Sequence, residues 1–281
     1  MVNKEFMSIC SLYSISPVHA GSGTSTSAVD LPIQREKHTN WPHIQASAVK
    51  GAMRAQFRNV YETEDDFIAQ INTIFGSDEQ DGWNKNDESQ PGQISVSDAK
   101  LFAFPVRSNM SPFISVTSPA VLKRLSNDLL FAGLDTFEQV KISETEKAVC
   151  LKGDVSGKII LEDIVIDCSE TKKIDIINKM FPEIDNLIIV SDLVFDHIVS
   201  TCTEIQTQIK IDKDKGTAVD GALRYEELLP SDTSMYALVY SENQAIDKTF
   251  KSTIKDFIQI GGDYTLGRGI FRITWNKGDR S

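Results

Sequence analysis

The spacing of apolar residues along the chain predicts its first elements, because a spacing of three to four residues is typical of a helix and a short apolar run or a period of two is typical of a strand. Residues 5–15 are rich in apolar and β-compatible types and predict a strand. After a long loop, apolar residues recur every three to four positions from about residue 48 to 60, which predicts a helix with Ser47 as its N-cap. The expected buried face of this helix consists of Val49, Met53, Phe57 and Val60.

The next part of the chain predicts further elements separated by a polar segment. A second helical run covers residues 65–75 and ends at Gly76. Residues 77–92 are rich in acids and turn formers and predict a mobile surface loop. Residues 93–106 then predict a strand, and residues 118–133 predict a helix closed by Gly133.

The C-terminal part predicts a strand at 234–241, a helix and a final strand at 270–275. The helix is expected to end at Gly261 and Gly262, since its apolar stripe consists of Ile246, Phe250, Ile254, Phe257 and Ile258. The overall order of strand, helix, strands, helix and strand is typical of an α+β domain with an antiparallel sheet of ferredoxin-like type.

Two further segments are expected to stand apart from this frame. Residues 140–200 mix a strand-like run (158–167) with a helical run (173–181), which indicates an insertion packed on the core. Residues 204–227 alternate with period two on both sides of the polar run DKDKG at 212–216, which predicts a long hairpin. Because only one face is modestly apolar, the hairpin is expected to project and to cover a partner.

Composition narrows the class of protein. The chain has 281 residues, 41% of them hydrophobic, and a formal net charge of −11. This length suits one large domain, or a core with a substantial insertion. The negative charge argues against non-specific coating of nucleic acid or an anionic membrane, although it permits a local basic groove. The four cysteines are widely spaced, which predicts buried free thiols in a reducing cytoplasm. The sequence also predicts no signal peptide and no membrane-spanning segment.

Cations are concentrated in one short stretch of this acidic chain. Arg35, Lys37, His38, Lys50 and Arg54 all follow Asp30 within residues 28–54. Lys50, Arg54 and Arg58 share one helix face at four-residue spacing, which suits either a phosphate-binding stripe or a solvated basic face. Gly51 in the helix interior costs about 1 kcal/mol relative to alanine, so a close approach by backbone or ligand is expected there.

Two loops carry candidate chemistry. Residues 261–269, with four glycines around Arg268, suit either phosphate binding or a tight turn after a helix. Asp30 in the first long loop, which also carries His19, is either a turn residue or a carboxylate among phosphate-binding cations. In the second case it is suited to Mg²⁺ binding or to proton removal from a ribose hydroxyl.

Seven motifs occur in order along most of the chain: SPVHAGSG, VDLPIQREKHTNWP, SAVKGAMR, VSDAKLFAFPVRS, VTSPAVLKR, GALRYEELLP and GGDYTLGRG. Together they resemble the RAMP superfamily and, within it, the backbone nuclease subunits of the type III-B CRISPR Cmr effector complex. The resemblance extends from Ser16 to Gly269 and carries little information about residues 140–200.

The resemblance implies a single RAMP domain over residues 1–281, with an RRM-like core, an insertion at about 140–200 and a thumb hairpin at about 204–222. It implies a filament of several copies along CRISPR RNA (crRNA), joined by other Cmr subunits, that cleaves complementary target RNA at regular intervals with Mg²⁺ or another divalent cation. The resemblance implies that Asp30 is the catalytic aspartate and that His19 is a catalytic histidine, and it implicates either Glu226 or Glu227 more weakly. Asp30 is expected either to bind the metal ion or to act as the base. The RNA-binding residues expected are Arg35, Lys37, His38, Lys50, Arg54, Gly262 and Arg268.

Two alternative functions remain open at this point. The chain is either catalytic as described, or a non-catalytic backbone subunit in which Asp30 is structural, or a stand-alone endoribonuclease that processes CRISPR RNA.

Overall fold

The computed structural model describes residues 4–61, 67–83 and 88–276, and these form fourteen strands and six α-helices. The helices are α1 (Ala46–Tyr61), α2 (Phe67–Phe75), α3 (Pro119–Ala132), α4 (Asp175–Met180), α5 (Asp192–Thr201) and α6 (Gln244–Thr253). The strands are β1 (Met7–Ser14), β2 (His43–Ile44), β3 (Ile94–Val96), β4 (Ala99–Arg107), β5 (Phe113–Thr117), β6 (Lys147–Lys152), β7 (Gly157–Leu161), β8 (Ile164–Thr171), β9 (Leu187–Ile189), β10 (Glu204–Gln208), β11 (Arg224–Leu228), β12 (Ser234–Ser241), β13 (Phe257–Gln259) and β14 (Ile270–Asn276). No helix in these ranges is long and apolar enough to cross a membrane.

Four antiparallel strands form a ferredoxin-like core in the order β14-β1-β12-β4. α1 lies between the first two of these strands in the chain, β1 and β4, and α6 lies between the last two, β12 and β14. The two helices pack together through stacked rings of Phe57 and Phe250, whose centroids are 5.8 Å apart. This βαββαβ arrangement confirms the α+β fold with an antiparallel sheet.

The segment between β4 and β12 extends the same sheet. β5 pairs with β4, and the order then continues β5-β9-β6-β8-β7. Within residues 140–200, β6, β7, β8 and β9 join this sheet edge to edge, and the interpretation of the segment as an insertion stays a prediction. The strand-like run 158–167 is two strands, since Glu162 adopts a positive φ of 52° in a turn between β7 and β8.

The first helix differs from its prediction at both ends. It begins at Ala46, so Ser47 lies in the first turn and is not the N-cap. The side chain of Asp98 accepts a hydrogen bond from the Ala46 N–H at 2.7 Å, which supplies a partner from another segment. Val60 is 51% exposed rather than buried, while the other three residues of the predicted face are buried.

The last helix is shorter than predicted. α6 ends at Thr253, and Phe257 and Ile258 belong to the edge strand β13. Apolar spacing fits both structures here, and pairing with β14 decides for the strand. Gly261 and Gly262 consequently follow a strand, so the prediction that they end a helix is wrong.

Other boundaries are confirmed or refined. α3 has Ser118 as N-cap and Gly133 in the left-handed region at its end, and β12 has the predicted bounds. The run 93–106 is interrupted at Ser97 and Asp98. Residues 65 and 66 of the predicted second helix, and 84–87 of the predicted loop, lie outside the described residues.

Candidate active site at the base of the hairpin

The predicted hairpin exists as β10 and β11, which form a separate two-stranded sheet. Its predicted apolar face is exposed to solvent in the single chain. The exposed apolar residues are Ile205, Ile209, Ile211, Val219, Leu223 and Tyr225. The hairpin therefore presents this face outward, and its base meets the rest of the domain.

The long loop after β1 folds back on itself at this base. Gln34 N–H donates to the Ala20 carbonyl at 2.8 Å, and Ser25 N–H donates to the Asp30 carbonyl at 2.8 Å. The loop is also joined to β11, since Leu31 N–H donates to the Tyr225 carbonyl at 3.1 Å. These backbone bonds bring the His19 and Asp30 segments of the loop together at β11.

The structure thus gathers most of the predicted site residues from three distant segments of the chain. They are His19, Asp30, Arg35, Glu226, Glu227, Gly262 and Arg268.

The Asp30 carboxylate is anchored through one oxygen. Its Oδ2 accepts a hydrogen bond from the Tyr225 backbone N–H at 2.8 Å. Among the described residues, no cation is paired with this carboxylate. Asp30 is partly exposed, so its carboxylate is accessible from solvent.

His19 is held in one tautomer. Its Nδ1 is 2.9 Å from the Glu227 backbone oxygen, and a carbonyl only accepts, so Nδ1 carries the proton. In the neutral ring Nε2 is then an acceptor, and no described residue is bonded to it. The Glu226 carboxylate lies 3.5 Å from the same Nδ1.

Glycines leave room for this imidazole and its backbone. A Cβ on Gly21 would lie 2.6 Å from His19 Nε2. Gly261 has a φ of +103°, and a Cβ there would lie 2.6 Å from the His19 carbonyl oxygen. Gly262 N–H donates to that same carbonyl at 2.8 Å, so the glycine loop supports the histidine directly.

Glu227 is buried and fully engaged. One carboxylate oxygen accepts from Arg35 Nη2 at 2.6 Å and from the Thr203 hydroxyl at 2.9 Å. The other oxygen accepts from the Ile33 backbone N–H at 3.1 Å. The carboxylate therefore joins the Asp30 loop to the hairpin.

Glu226 points to the opposite face of β11 and is 2% exposed. It accepts hydrogen bonds from Arg268 and from the Gln208 side chain. Arg268 also donates to Asp263 at 2.6 Å and to Gln206 at 2.6 Å. The catalytic assignment of the two glutamates, and RNA binding by Arg35 and Arg268, stay predictions, because in this structure the four side chains are paired with one another or with other groups of the protein.

The remaining predicted RNA ligands lie elsewhere. Lys37 and His38 are exposed on the loop. Lys50 donates to the Ile94 carbonyl at 3.3 Å, and burial together with the charge of Arg54 lowers its pKa. A Cβ on Gly51 would meet nothing within 4 Å, so the expected close approach does not come from the described chain itself.

Arg54 and Arg58 bind the polar segment predicted to be a mobile loop. Both guanidinium groups are hydrogen-bonded to Asp81, whose side chain is 1% exposed. Arg54 also donates to the Gly76 carbonyl at 3.0 Å. The prediction for residues 77–92 is thus wrong at Asp81, and the role of Arg54 as an RNA ligand stays a prediction.

The donor set does not by itself form a metal site. No group of three or more His, Cys, Asp and Glu side chains in the described ranges is arranged to hold an ion. Near Asp30, the carboxylates of Glu226 and Glu227 are already paired with arginines. Asp30 would therefore be the lone protein carboxylate for a divalent ion here, and no step is assigned to a metal.

Sequence reasoning missed several groups that build the site. They are Thr203, Gln206, Gln208, Asp263 and the Tyr225 backbone N–H. Period-two alternation does place Gln206 and Gln208 on one polar face with Glu226, and register pairs Gln206 with Glu226 directly. The alternation could therefore have indicated Gln206 and Gln208. Nothing in the sequence around Thr203 indicates its partner Glu227, which lies 24 positions further along the chain.

Comparison with known proteins agrees with this architecture. The RAMP superfamily model matches residues 11–272. The chain is 37% identical over 285 residues to the CRISPR system Cmr endoribonuclease Cmr4 of Pyrococcus furiosus, with 94% of this chain and 93% of that protein covered. It is 24% identical to the CRISPR system CMR subunit Cmr4 of Saccharolobus solfataricus, with 93% and 94% covered.

Solved structures give the same result. The crystal structure of oligomeric Cmr4 from Pyrococcus furiosus superimposes with a TM-score of 0.71 at 29% identity, covering 96% of this chain and 97% of that chain. The cryo-EM structure of the type III-B Cmr-beta complex bound to cognate target RNA contains a chain with the same fold, at a TM-score of 0.77, 23% identity and coverage of 96% and 97%. Because the family model and the identity both extend over nearly the whole sequence, this chain belongs to the RAMP superfamily and, within it, to the Cmr4 family.

Proposed function

We propose that this chain is a backbone subunit of a type III-B CRISPR complex that binds crRNA and cleaves complementary target RNA, with Asp30 at the scissile bond. The relative from Pyrococcus furiosus is a Cmr endoribonuclease. A Cmr-beta complex that contains a chain of the same fold has been solved with target RNA. Self-assembly is supported by the oligomeric Cmr4 crystal structure. The observation in this chain that carries the proposal is a carboxylate without a cation partner among the described residues, held at the base of a projecting hairpin.

The chemistry that suits this site is attack by a ribose 2′-hydroxyl on the adjacent phosphorus. The 2′-oxygen forms the new bond, its proton leaves to a base, and the bond from phosphorus to the 5′-oxygen breaks as that oxygen gains a proton. Asp30 is assigned as the acceptor of the hydroxyl proton, and the leaving 5′-oxygen takes its proton from water or, when the His19 ring is protonated on both nitrogens, from Nε2 of His19. The hairpin would bend the target so that the hydroxyl lies in line with the phosphorus.

Divalent-cation dependence is a separate part of the proposal. Mg²⁺ commonly binds through one or two carboxylates together with substrate phosphates and water. The site offers one such carboxylate, Asp30, so the RNA would have to supply the other ligands. Cleavage measured with Mg²⁺ and after removal of divalent ions by EDTA tests this part alone.

Asp30→Asn in a reconstituted complex is the decisive test of catalysis. Asparagine keeps an oxygen that can accept from Tyr225 N–H but removes the charge, whereas Asp30→Ala removes both. We expect single-turnover target cleavage to fall by about 100-fold or more in both variants, the range for loss of an acid or base. Assembly and target binding should be retained, and Asp135→Asn, at an exposed aspartate, is the matched control.

A non-catalytic backbone subunit is the second candidate, favoured by the same hydrogen bond from Tyr225 to Asp30, which a purely structural aspartate would also make. It would be established if Asp30→Asn cleaved normally while Asp30→Ala impaired assembly. Incubation of the isolated chain with CRISPR repeat RNA tests the processing endoribonuclease.

A further inference from the structure

Glu226 and Glu227 are adjacent on β11, and their buried carboxylates face opposite sides of the strand. Side-chain exposure is 2% for Glu226 and 10% for Glu227. A carboxylate that exchanges a proton with RNA must reach the RNA. These two instead reach other parts of the protein.

The bonds of Glu227 all lead to segments that border Asp30. Ile33 N–H and the Arg35 guanidinium belong to the same loop as Asp30, three and five residues further on. The Thr203 hydroxyl belongs to the start of the hairpin. Glu227 therefore spans the gap between the loop and the hairpin with one carboxylate.

Arg35 extends the connection to the helical part of the insertion. Its guanidinium donates to the Val199 carbonyl at 3.0 Å and to the Asn40 carbonyl at 2.9 Å. The Arg35 side chain is 16% exposed, so little of it is available to a phosphate. Its bonds fix the far end of the segment that begins at Asp30.

Backbone bonds complete the attachment of that segment. Glu227 N–H donates to the Leu31 carbonyl at 3.0 Å, beside the Tyr225 N–H that holds Asp30. Residues 30–35 thus run along β11 and are held at both ends. Any change in the position of β11 must move the Asp30 carboxylate with it.

We propose that Glu227 is a positioning residue that, with Arg35, holds residues 30–35 against the hairpin and so sets the place of the Asp30 carboxylate. The proposal rests on the proposed function for its effect on cleavage. It replaces a direct chemical role for Glu227 and an RNA-binding role for Arg35 with one shared structural task. Removal of the carboxylate leaves the Arg35 charge and the Ile33 N–H without their partner, so the segment should loosen.

Hydrogen–deuterium exchange on the assembled complex tests the attachment without reference to cleavage. Glu227→Ala should speed amide exchange in peptides covering residues 28–36, and Glu227→Gln should do so less, because its amide oxygen still accepts from Arg35. Asp30→Asn should leave exchange at Ile33 near the wild-type rate, and Glu138→Ala, at a side chain that is 84% exposed, is the matched control.

Cleavage supplies the second measurement. Glu227→Ala should lower the single-turnover rate by about 10- to 100-fold at saturating target, the scale of a small displacement of a reacting group. Target affinity should be unchanged, and Glu227→Gln should recover part of the rate. Thr203→Val removes a single bond to the carboxylate and should give a smaller loss in the same direction.

The outcomes separate this inference from the proposed function. Unchanged exchange at residues 28–36 in Glu227→Ala overturns the inference, whatever happens to cleavage. Normal cleavage by Asp30→Asn overturns the proposed catalytic role and leaves the exchange result to decide the positioning role. If Glu227→Ala fails to fold, Glu227→Gln and Thr203→Val decide by the same two measurements.

Discussion

At the scale of single residues, the site depends on a glycine that leaves space for the imidazole ring of His19. His19 has one ring nitrogen fixed by a backbone carbonyl, and its Nε2 lies where a side chain on Gly21 would stand. The glycine therefore acts on the position of the ring and not on the core. A substitution here should affect chemistry before stability.

Gly21→Ala should reduce target cleavage by about 10- to 100-fold, because the new methyl group displaces the imidazole. The measurement is the single-turnover rate of the assembled complex, together with thermal unfolding of the isolated chain. Thr24→Ala, at an exposed position of the same loop, is the control. Wild-type cleavage by Gly21→Ala would show that the position of His19 does not limit the reaction.

At the scale of elements, two of the three cations on the basic face of α1, Arg54 and Arg58, are paired with a carboxylate of the same chain. Asp81 lies between Arg54 and Arg58, and the short helical turn that carries it is thereby fixed to α1. Burial alone would raise the pKa of the Asp81 carboxyl, but hydrogen bonds from Arg58 and Arg54, with their charges, outweigh it and lower the pKa. A stripe that looks available to phosphates in the sequence is thus partly used to attach a loop.

Asp81→Asn should lower the free energy of unfolding at pH 7 by roughly 3 kcal/mol, the lower end for a buried pair that loses one partner. The lower end applies because the Arg58 side chain is 32% exposed. Chemical denaturation measures the change, and Asp154→Asn, at an exposed aspartate, is the control. A change as small as that of the control would show that the pairing contributes little.

The same carboxylate gives a pH dependence with a defined sign. The pKa of the Asp81 carboxyl is lower in the folded chain than in the unfolded chain. The stabilisation that Asp81 provides is therefore complete above its unfolded pKa of about 3.9, and it is lost as the pH falls through the lower folded pKa. The difference in free energy of unfolding between wild type and Asp81→Asn should therefore be constant between pH 7 and about 4, and it should shrink below that pH. A difference that grew toward low pH would contradict the assigned direction.

At the scale of the whole molecule, the hairpin joins two tasks. Its base holds Asp30, Glu226 and Glu227, and its outer part presents apolar side chains to solvent. Backbone hydrogen bonds form within the tip, for example from Asp212 N–H to the Thr217 carbonyl at 2.8 Å. The tip can therefore serve a partner without supporting the core.

Replacing residues 209–219 by a short turn should leave the chain folded, with a free energy of unfolding within about 0.5 kcal/mol of wild type. In the complex, the shortened hairpin should suppress or scatter target cleavage, because the target is no longer bent at regular intervals. The product ladder is the measurement. An unchanged ladder would contradict the thumb interpretation, and loss of folding would place the tip in the core.

The sequence by itself determined the order of the core elements, the ferredoxin-like frame, the hairpin and most of the charged residues around which the site is built. These follow from local period and from motifs, which short stretches of chain contain in full. It was less informative at helix ends, because apolar spacing at 254–258 suits a helix and a strand equally well.

Only the tertiary structure decided which charged groups are engaged within the protein. Arg35 pairs with Glu227 across 192 positions, and Arg268 with Glu226 across 42. It also decided that the strands of the insertion continue the core sheet. Such pairings depend on burial and on backbone geometry that only the assembled fold creates, so a cation that looks available in the sequence can already be bound within the protein.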